Sequence, residues 1–329
     1  MALDPKRIGS ALLGLTAVAA VGVIPSAPAQ AKPDIKDVKE KVDHLYHEAE
    51  AASERVLDAE LELKRLRSEL ASVTADEKRQ DARVEAVRED VADSVLRQLE
   101  GESISTVGQV VVSDDPATFL GQLATMSTFN DLQAAKFDDY ATELAALDLR
   151  REATEARADE IEKVTTQLER EKKTIDTKLA AAKDLLADLE AEERARLLAS
   201  SGSGMPIPSS VPASGRAAVA IKYALAQVGD AYVFGAAGEN AFDCSGLTMR
   251  AWGTAGVGLP HSSSAQFSSG PRVAASDLQP GDLVFYYSPI SHVGLYLGNG
   301  LIVHAANPGT GVVVSGLYSM PYVGAVRPG

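Results

Sequence analysis

Residues 240–252 read NAFDCSGLTMRAW and hold Cys244, the only cysteine of the 329-residue chain. The run from Cys244 onward, CSGLTMRAWGTAG, reads as a helix, so the thiol stands where a loop meets a helix start. A helix N-terminus lowers a thiol pKa and favours the thiolate. Three chemistries are open to Cys244. It is a buried inert thiol, a metal ligand together with His292 and His304, or a nucleophile that needs a base and a third group to orient that base. No close-spaced CxxC or HxxxH pair supports the metal reading.

Around this stretch, GRAAVAIKYALAQVG predicts a short amphipathic helix ended by Gly229. Five strand-like runs follow: DLVFYY, HVGLYL, LIVHA, GVVVSG and YVGAVRP. Helices followed by an antiparallel meander predict an α+β domain over 216–329. His292 and His304 fall in consecutive strands. A two-residue turn at Asn299-Gly300 would put them on opposite faces, because side chains alternate along a strand. A three-residue loop over 298–300 pairs His304 with Gly294 instead. The two rings then share a face as diagonal neighbours, about 7–8 Å apart at the backbone. A working pair of histidines therefore demands the longer loop, with Gly300 in its left-handed position.

The rest of the chain differs in character. Residues 32–199 carry 25 basic and 40 acidic side chains, whereas 216–329 carry five of each. This acidity argues against nucleic-acid binding, which needs a basic face. Residues 1–31 read as a secretory signal peptide: Lys6 and Arg7, an apolar run, then Ala29 and Ala31 in an A-x-A arrangement. An uncleaved membrane anchor is the competing reading. From Ile35, alternate steps of three and four meet Val38, Val42, Leu45, Ala49, Ala52, Val56, Ala59, Leu63 and Leu66, and the register continues to Val91. The pattern returns from Tyr140 to Leu189 and is polar between Arg151 and Lys172. Two such seams predict a coiled coil. Arms of about 60–70 residues, or roughly 90–105 Å, fold most simply as an antiparallel hairpin over 32–199, a parallel homodimer being the alternative.

Between the arms, 101–130 reads as a tip lobe. Asp115 is a candidate cap, Pro116 sits in the first helical turn, and Phe119, Leu120, Leu123 and Met126 form an apolar stripe. The stripe either covers the hairpin end or meets a partner. Residues 200–215, SSGSGMPIPSSVPASG, have the composition of a linker.

AYVFGAAGENAFDCSGL, LPHSSSAQ, LQPGDLVFYYSPISHVGLYLGNG and IVHA follow, in order, the motifs of the NlpC-type papain-like peptidoglycan endopeptidases. The resemblance spans 216–329, and the coiled coil with its linker resembles secreted actinobacterial cell-wall hydrolases. It implies an α+β papain-like catalytic domain behind a coiled-coil hairpin. Cys244 is then the nucleophile, His292 the base and His304 the orienting residue. The backbone N–H of Cys244 and the hydroxyl of Tyr232 become oxyanion donors. Asp243 and Ser245 meet polar groups of the substrate, although Asp243 also reads as a helix cap, and Ser263 matches the serine of the family's LPRTS motif. Position 261 departs from that motif, with His261 in place of arginine, and FGAAG replaces the usual WGG.

The implied substrate is a peptidoglycan stem peptide, cut between D-glutamate and meso-diaminopimelate, with no metal or organic cofactor. The implied location is the cell envelope. The implied partner is a membrane ABC-transporter-like complex of cell division, met at the coiled-coil tip. A non-catalytic wall-binding or hydrolase-regulating adaptor is the alternative.

Overall fold

The computed structural model describes residues 35–99, 116–189, 191, 193–196 and 204–329. The signal-peptide reading, the segment 101–115 and the side chains of Phe119, Leu120, Leu123 and Met126 lie outside the described residues. Among the described residues no helix is long and apolar enough to cross a membrane.

Helix α1 (Ile35–Leu99) and helix α2 (Pro116–Ala187) are the two arms. They run antiparallel, since early residues of one meet late residues of the other. Arg55 pairs with Glu171 at 2.9 Å, Arg150 with Asp76 at 2.8 Å and Lys136 with Asp90 at 2.8 Å. The seam is packed most tightly towards the start of α1, where Val38, Val42, Ala49, Ala52, Val56, Ala59, Leu63 and Leu66 are all buried. The polar part of the α2 seam is bridged by ion pairs. Arg151 reaches Asp81 at 3.4 Å and Arg157 reaches Glu69 at 3.0 Å. Exposed pairs of this kind contribute about 0–1 kcal/mol each, so they fix register more than they add stability.

The C-terminal domain opens with α3 (Gly215–Ala226), two short strands β1 (Ala231–Tyr232) and β2 (Ala241–Phe242), α4 (Cys244–Thr254) and the single turn α5 (Ser263–Gln266). Strands β3 (Arg272–Val273), β4 (Leu283–Tyr286), β5 (His292–Gly298), β6 (Leu301–Asn307), β7 (Gly311–Gly316) and β8 (Tyr322–Val326) form one antiparallel sheet in the order β3-β8-β4-β5-β6-β7. The α+β expectation holds. Ile221 and Ala224 of α3 and Leu247 and Trp252 of α4 share one core with Phe285, Val293, Leu295 and Val303. Val284, Tyr286 and Ile302 belong to a second cluster. Every residue of β5 is buried, which places His292 in the interior.

The β5–β6 hairpin has the register that the histidine pair demands, reached by a different device. Leu295 pairs with Val303 and Tyr296 with Ile302, but Gly298 pairs with Leu301, so an irregularity at Leu297 supplies the extra residue. Gly298, Asn299 and Gly300 all have positive φ, at 90°, 53° and 71°. Gly294 stands beside His304, and a Cβ there would lie 3.4 Å from the Cβ of His304. The tighter neighbour of such a Cβ is Ile302, whose Cδ1 would lie 3.1 Å away.

The described part of 200–215 is held rather than free. Met205 N–H donates to the Val314 carbonyl at 2.8 Å, alongside β7, and Val211 and Ala213 pack on the core. Composition alone could not show this, because Met205 is held through its backbone and only Val211 and Ala213 add apolar contact.

The start of α4 is fixed by close approach. A Cβ on Gly246 would lie 2.2 Å from the Ala236 carbonyl oxygen, which is backbone and has little room to move. Gly246→Ala should therefore destabilise the domain by about 1–3 kcal/mol and displace Cys244. A thermal melt of the variant checks this, and an unchanged melting temperature would contradict the packing described.

Candidate active site

Cys244 is the first residue of α4 and is fully buried. Asp243 caps that helix, accepting from Gly246 N–H at 2.6 Å, so its capping role is realised. Its carboxylate also holds His261, whose Nε2 lies 3.0 and 2.9 Å from the two oxygens. Burial alone would lower the His261 pKa, but the hydrogen bond and charge of Asp243 lift it above the usual value. His261 is thus committed to Asp243.

His292 and His304 come together as the strand register requires. Nε2 of His292 lies 2.7 Å from Nδ1 of His304, and Nε2 of His304 lies 2.9 Å from Ser315 Oγ. The reactive atoms of Cys244 and His292 lie within 4.8 Å of each other. Cys244, His292, His304 and Ser315 therefore form one line from thiol to hydroxyl. Ser315 on β7 was not anticipated.

Helix α1 enters this site. Glu50 Oε1 is 2.7 Å from Nδ1 of His292, and the Tyr232 hydroxyl donates to the same oxygen at 3.2 Å. Four residues on, Glu54 Oε2 accepts from Ser263 N–H at 2.6 Å and from Ser263 Oγ at 2.7 Å. Glu54 Oε1 takes Ser245 Oγ at 3.0 Å and the Cys244 thiol at 3.5 Å. After four more residues, Asp58 Oδ1 accepts from the hydroxyls of Ser262 and Ser264. Positions four apart share one helix face, so 50, 54 and 58 form a single acidic ridge laid along the cleft. Tyr232, Ser245 and Ser263 were assigned to oxyanion and substrate contacts, and here all three serve α1.

The ridge can approach because its neighbours are small. Ala49, Ala51, Ala52 and Ser53 surround Glu50 and Glu54, and Glu50, Ser53, Glu54 and Leu57 are buried in addition to the seam. Between residues 49 and 59, α1 therefore has two buried faces. Further contact comes from His47, whose ring centroid lies 3.9 Å from that of Tyr287. What stays open nearby is a cavity of about 330 Å³. Its walls include Lys39, Asp43 and His47 of α1, with Tyr287, His304 and Thr310 of the sheet domain, and Cys244 does not line it.

The electrostatics follow from this burial. Burial raises Glu50 to about 8, and it raises Glu54 to about 8 with help from Asp243. Burial, then the charges of Glu54 and Glu50, pushes the Cys244 thiol well above its usual value. His292 is driven down to about 3 by desolvation. The helix-start effect expected to favour a thiolate is outweighed, and in this arrangement the pair is a neutral thiol beside a neutral imidazole. The metal set of Cys244, His292 and His304 does not form either, because His304 Nδ1 faces the His292 ring.

Glu50, Glu54 and Asp58 were missed from sequence. Their signal was available in part, as acidic residues at four-residue spacing within the Ala-rich run EAEAASERVLDAE.

Residues 229–325 match the family model described as NlpC/P60 family. Over 122 residues the chain is 43% identical to a probable endopeptidase of Corynebacterium glutamicum, covering 37% of this chain and 58% of that protein. Over 111 residues it is 47% identical to a probable endopeptidase of Mycobacterium tuberculosis, covering 34% of this chain and 29% of that one. Among solved structures, the NlpC/p60 domain of the peptidoglycan hydrolase SagA is 32% identical with a TM-score of 0.32, covering 34% of this chain and 97% of that one. The match thus spans little more than half, or under a third, of the curated relatives. Residues 229–325, which carry Cys244, His292 and His304, are thus the part of this chain that is similar to the NlpC/P60 family.

Proposed function

We propose that this chain is a secreted peptidoglycan endopeptidase whose coiled coil holds it closed. The observation that carries the reading is the line Cys244–His292–His304–Ser315 at the floor of a cleft lined by hydrogen-bond donors. Peptidoglycan stem peptides are the substrate, and the resemblance to the NlpC-type enzymes points to the D-glutamyl–meso-diaminopimelate bond.

In the open cleft, His292 takes the thiol proton and the Cys244 sulfur attacks the γ-carbonyl carbon of the D-glutamyl residue. The tetrahedral oxyanion is met by the Cys244 backbone N–H and the Tyr232 hydroxyl. Collapse to a thioester expels the diamino acid's amine, which receives the proton from His292. A water then adds to the thioester, His292 taking its proton, and the acid and free thiol are released. His304 holds the His292 ring in orientation and is itself held by Ser315.

With α1 seated these steps are blocked, so the full chain turns over only in the fraction of time that the helix lifts. Glu50 takes the imidazole nitrogen that must serve the thiol, and Glu54 takes the donors of Ser245 and Ser263. The hairpin is the natural handle for opening. Towards its far end Leu96, Leu132 and Phe137 are exposed, which suits contact with a partner. A membrane ABC-transporter-like division complex is the partner that the resemblance suggests.

Two experiments test the proposal. Digestion of purified sacculi by the full chain, with mass spectrometry of the fragments, should show stem-peptide cleavage that Cys244→Ala abolishes. His292→Ala should nearly abolish turnover as well. His304→Asn or His304→Gln should retain more activity than His304→Ala, because an amide can still make a hydrogen bond to His292. Equal loss in all three His304 variants would refute an orienting role.

The second compares the full chain with Glu50→Ala/Glu54→Ala. The double variant leaves buried donors unpaired beneath α1, at about 1–3 kcal/mol each. It should digest sacculi at least about tenfold faster and react faster with iodoacetamide at Cys244. Equal rates in both assays would mean that the hairpin is a spacer.

A further inference from the structure

We propose that the closed cleft is a zinc site, in which Cys244, His292 and Glu50 bind one Zn²⁺ and tie helix α1 to the sheet domain.

The three ligand atoms come from three elements: the start of α4, the start of β5 and the middle of α1. All lie within 4.8 Å of one another, and all three residues are buried. No two of them are close in sequence, which is why no spacing pattern announced them. A thiolate, an imidazole and a carboxylate are a donor set suited to zinc, which accepts sulfur, nitrogen and oxygen in tetrahedral geometry. Tetrahedral donors at zinc distances stand roughly 3.4–3.7 Å apart. The 2.7 Å Glu50–His292 contact would open by that difference through small rotations of the two side chains.

Surrounding groups already hold the ligands as a metal site requires. A zinc-bound imidazole usually donates its second N–H to a fixed acceptor. Here Nε2 of His292 faces His304 Nδ1, and His304 is anchored on Ser315. The Tyr232 hydroxyl donates to Glu50 Oε1. Glu54 Oε1, 3.5 Å from the sulfur, or a water completes the fourth position. Charge points the same way. Glu50, Glu54 and Asp243 bring three carboxyl groups into one buried pocket, faced by two histidines: His47, whose Nδ1 lies 4.0 Å from Glu50 Oε2, and His261 on Asp243. A divalent ion between Glu50 and Cys244 lets both groups ionise in this buried place with their charge compensated.

Binding is a simple exchange with no redox step. Zn²⁺ enters, the Cys244 thiol proton and the Glu50 carboxyl proton leave to water, and His292 gives its Nδ1 lone pair. The ion is inhibitory, because it occupies both the sulfur and the nitrogen that hydrolysis uses. The inference rests on the closed arrangement of α1 rather than on the reaction, so it can fail or hold whether or not the chain hydrolyses peptidoglycan.

The test uses the full chain, reduced, stripped of metal and titrated with Co²⁺. One equivalent should bind with a thiolate-to-cobalt charge-transfer band, and Zn²⁺ should displace it and raise the melting temperature. Cys244→Ser should lose the band. Glu50→Gln should weaken binding at least about tenfold, while Glu48→Gln, on the exposed Glu48–Lys178 pair, should bind as the wild type does. If Glu50→Gln does not fold, X-ray absorption at the zinc edge of the wild type reads the ligands directly, with one sulfur at about 2.3 Å among nitrogen and oxygen donors expected. The inference is overturned by the absence of one-equivalent binding, by equal affinity in Glu50→Gln, or by a sulfur-free shell.

Discussion

Glu50 Oε1 stands 2.7 Å from Nδ1 of His292, and the state of the whole cleft depends on that contact. An imidazole nitrogen cannot serve a carboxyl group and a thiol at once. With Glu50 in place, the imidazole beside the thiol is engaged elsewhere, and the thiol sits beneath a second carboxyl group, Glu54. Each further feature of the site reinforces the same state. Tyr232 turns its hydroxyl to Glu50, Ser263 gives its N–H to Glu54, and the thiol is held protonated by burial and nearby negative charge.

The contact is balanced rather than overwhelming. A hydrogen bond contributes about 0.5–1.5 kcal/mol net, and α1 makes several with the cleft. Against them stands the cost of taking carboxylates out of water, several kcal/mol for an ion without a charged partner. The upward shift of Glu50 and Glu54 to about 8 shows that desolvation outweighs the donors around them. A helix seated by apolar burial alone would gain the same contact area without this opposing term. The acidic ridge therefore gives closure that is specific in position and modest in strength, as a reversible cover needs to be.

The cover also needs a rigid backing, and this explains the hairpin's uneven packing. Ala49, Ala52, Val56 and Ala59 face α2, while Glu50, Ser53, Glu54 and Leu57 are turned away from that seam and are also buried. A single helix about 11 Å across is thus gripped from two sides over three turns, and small side chains permit both grips. Beyond Leu66 the seam loosens, with Leu70, Val73 and Val87 only partly buried.

The hairpin was legible in sequence because its signal is periodic. A seam from Ile35 to Val91 repeats many times over, and helix period alone reveals it. The sheet domain was legible through local pattern, and the histidine register through a constraint: only a shift by one residue brings His304 opposite Gly294. The device that supplies the shift, an irregularity at Leu297, depends on how Gly298, Asn299 and Gly300 share their positive φ angles, which pattern does not resolve. The acidic ridge was the least legible element. Glu50 and His292 are 242 positions apart, and on a helix already rich in acidic residues three more carboxylates read as a solvated face. Periodicity reports which faces of one element are apolar; it carries no information on where a polar face finds buried donors in another. The one trace left in sequence is the run of small residues around Glu50 and Glu54, because close approach needs small neighbours whatever the chemistry of the contact. An acidic residue at four-residue spacing within such a run marks a helix that can enter a cleft.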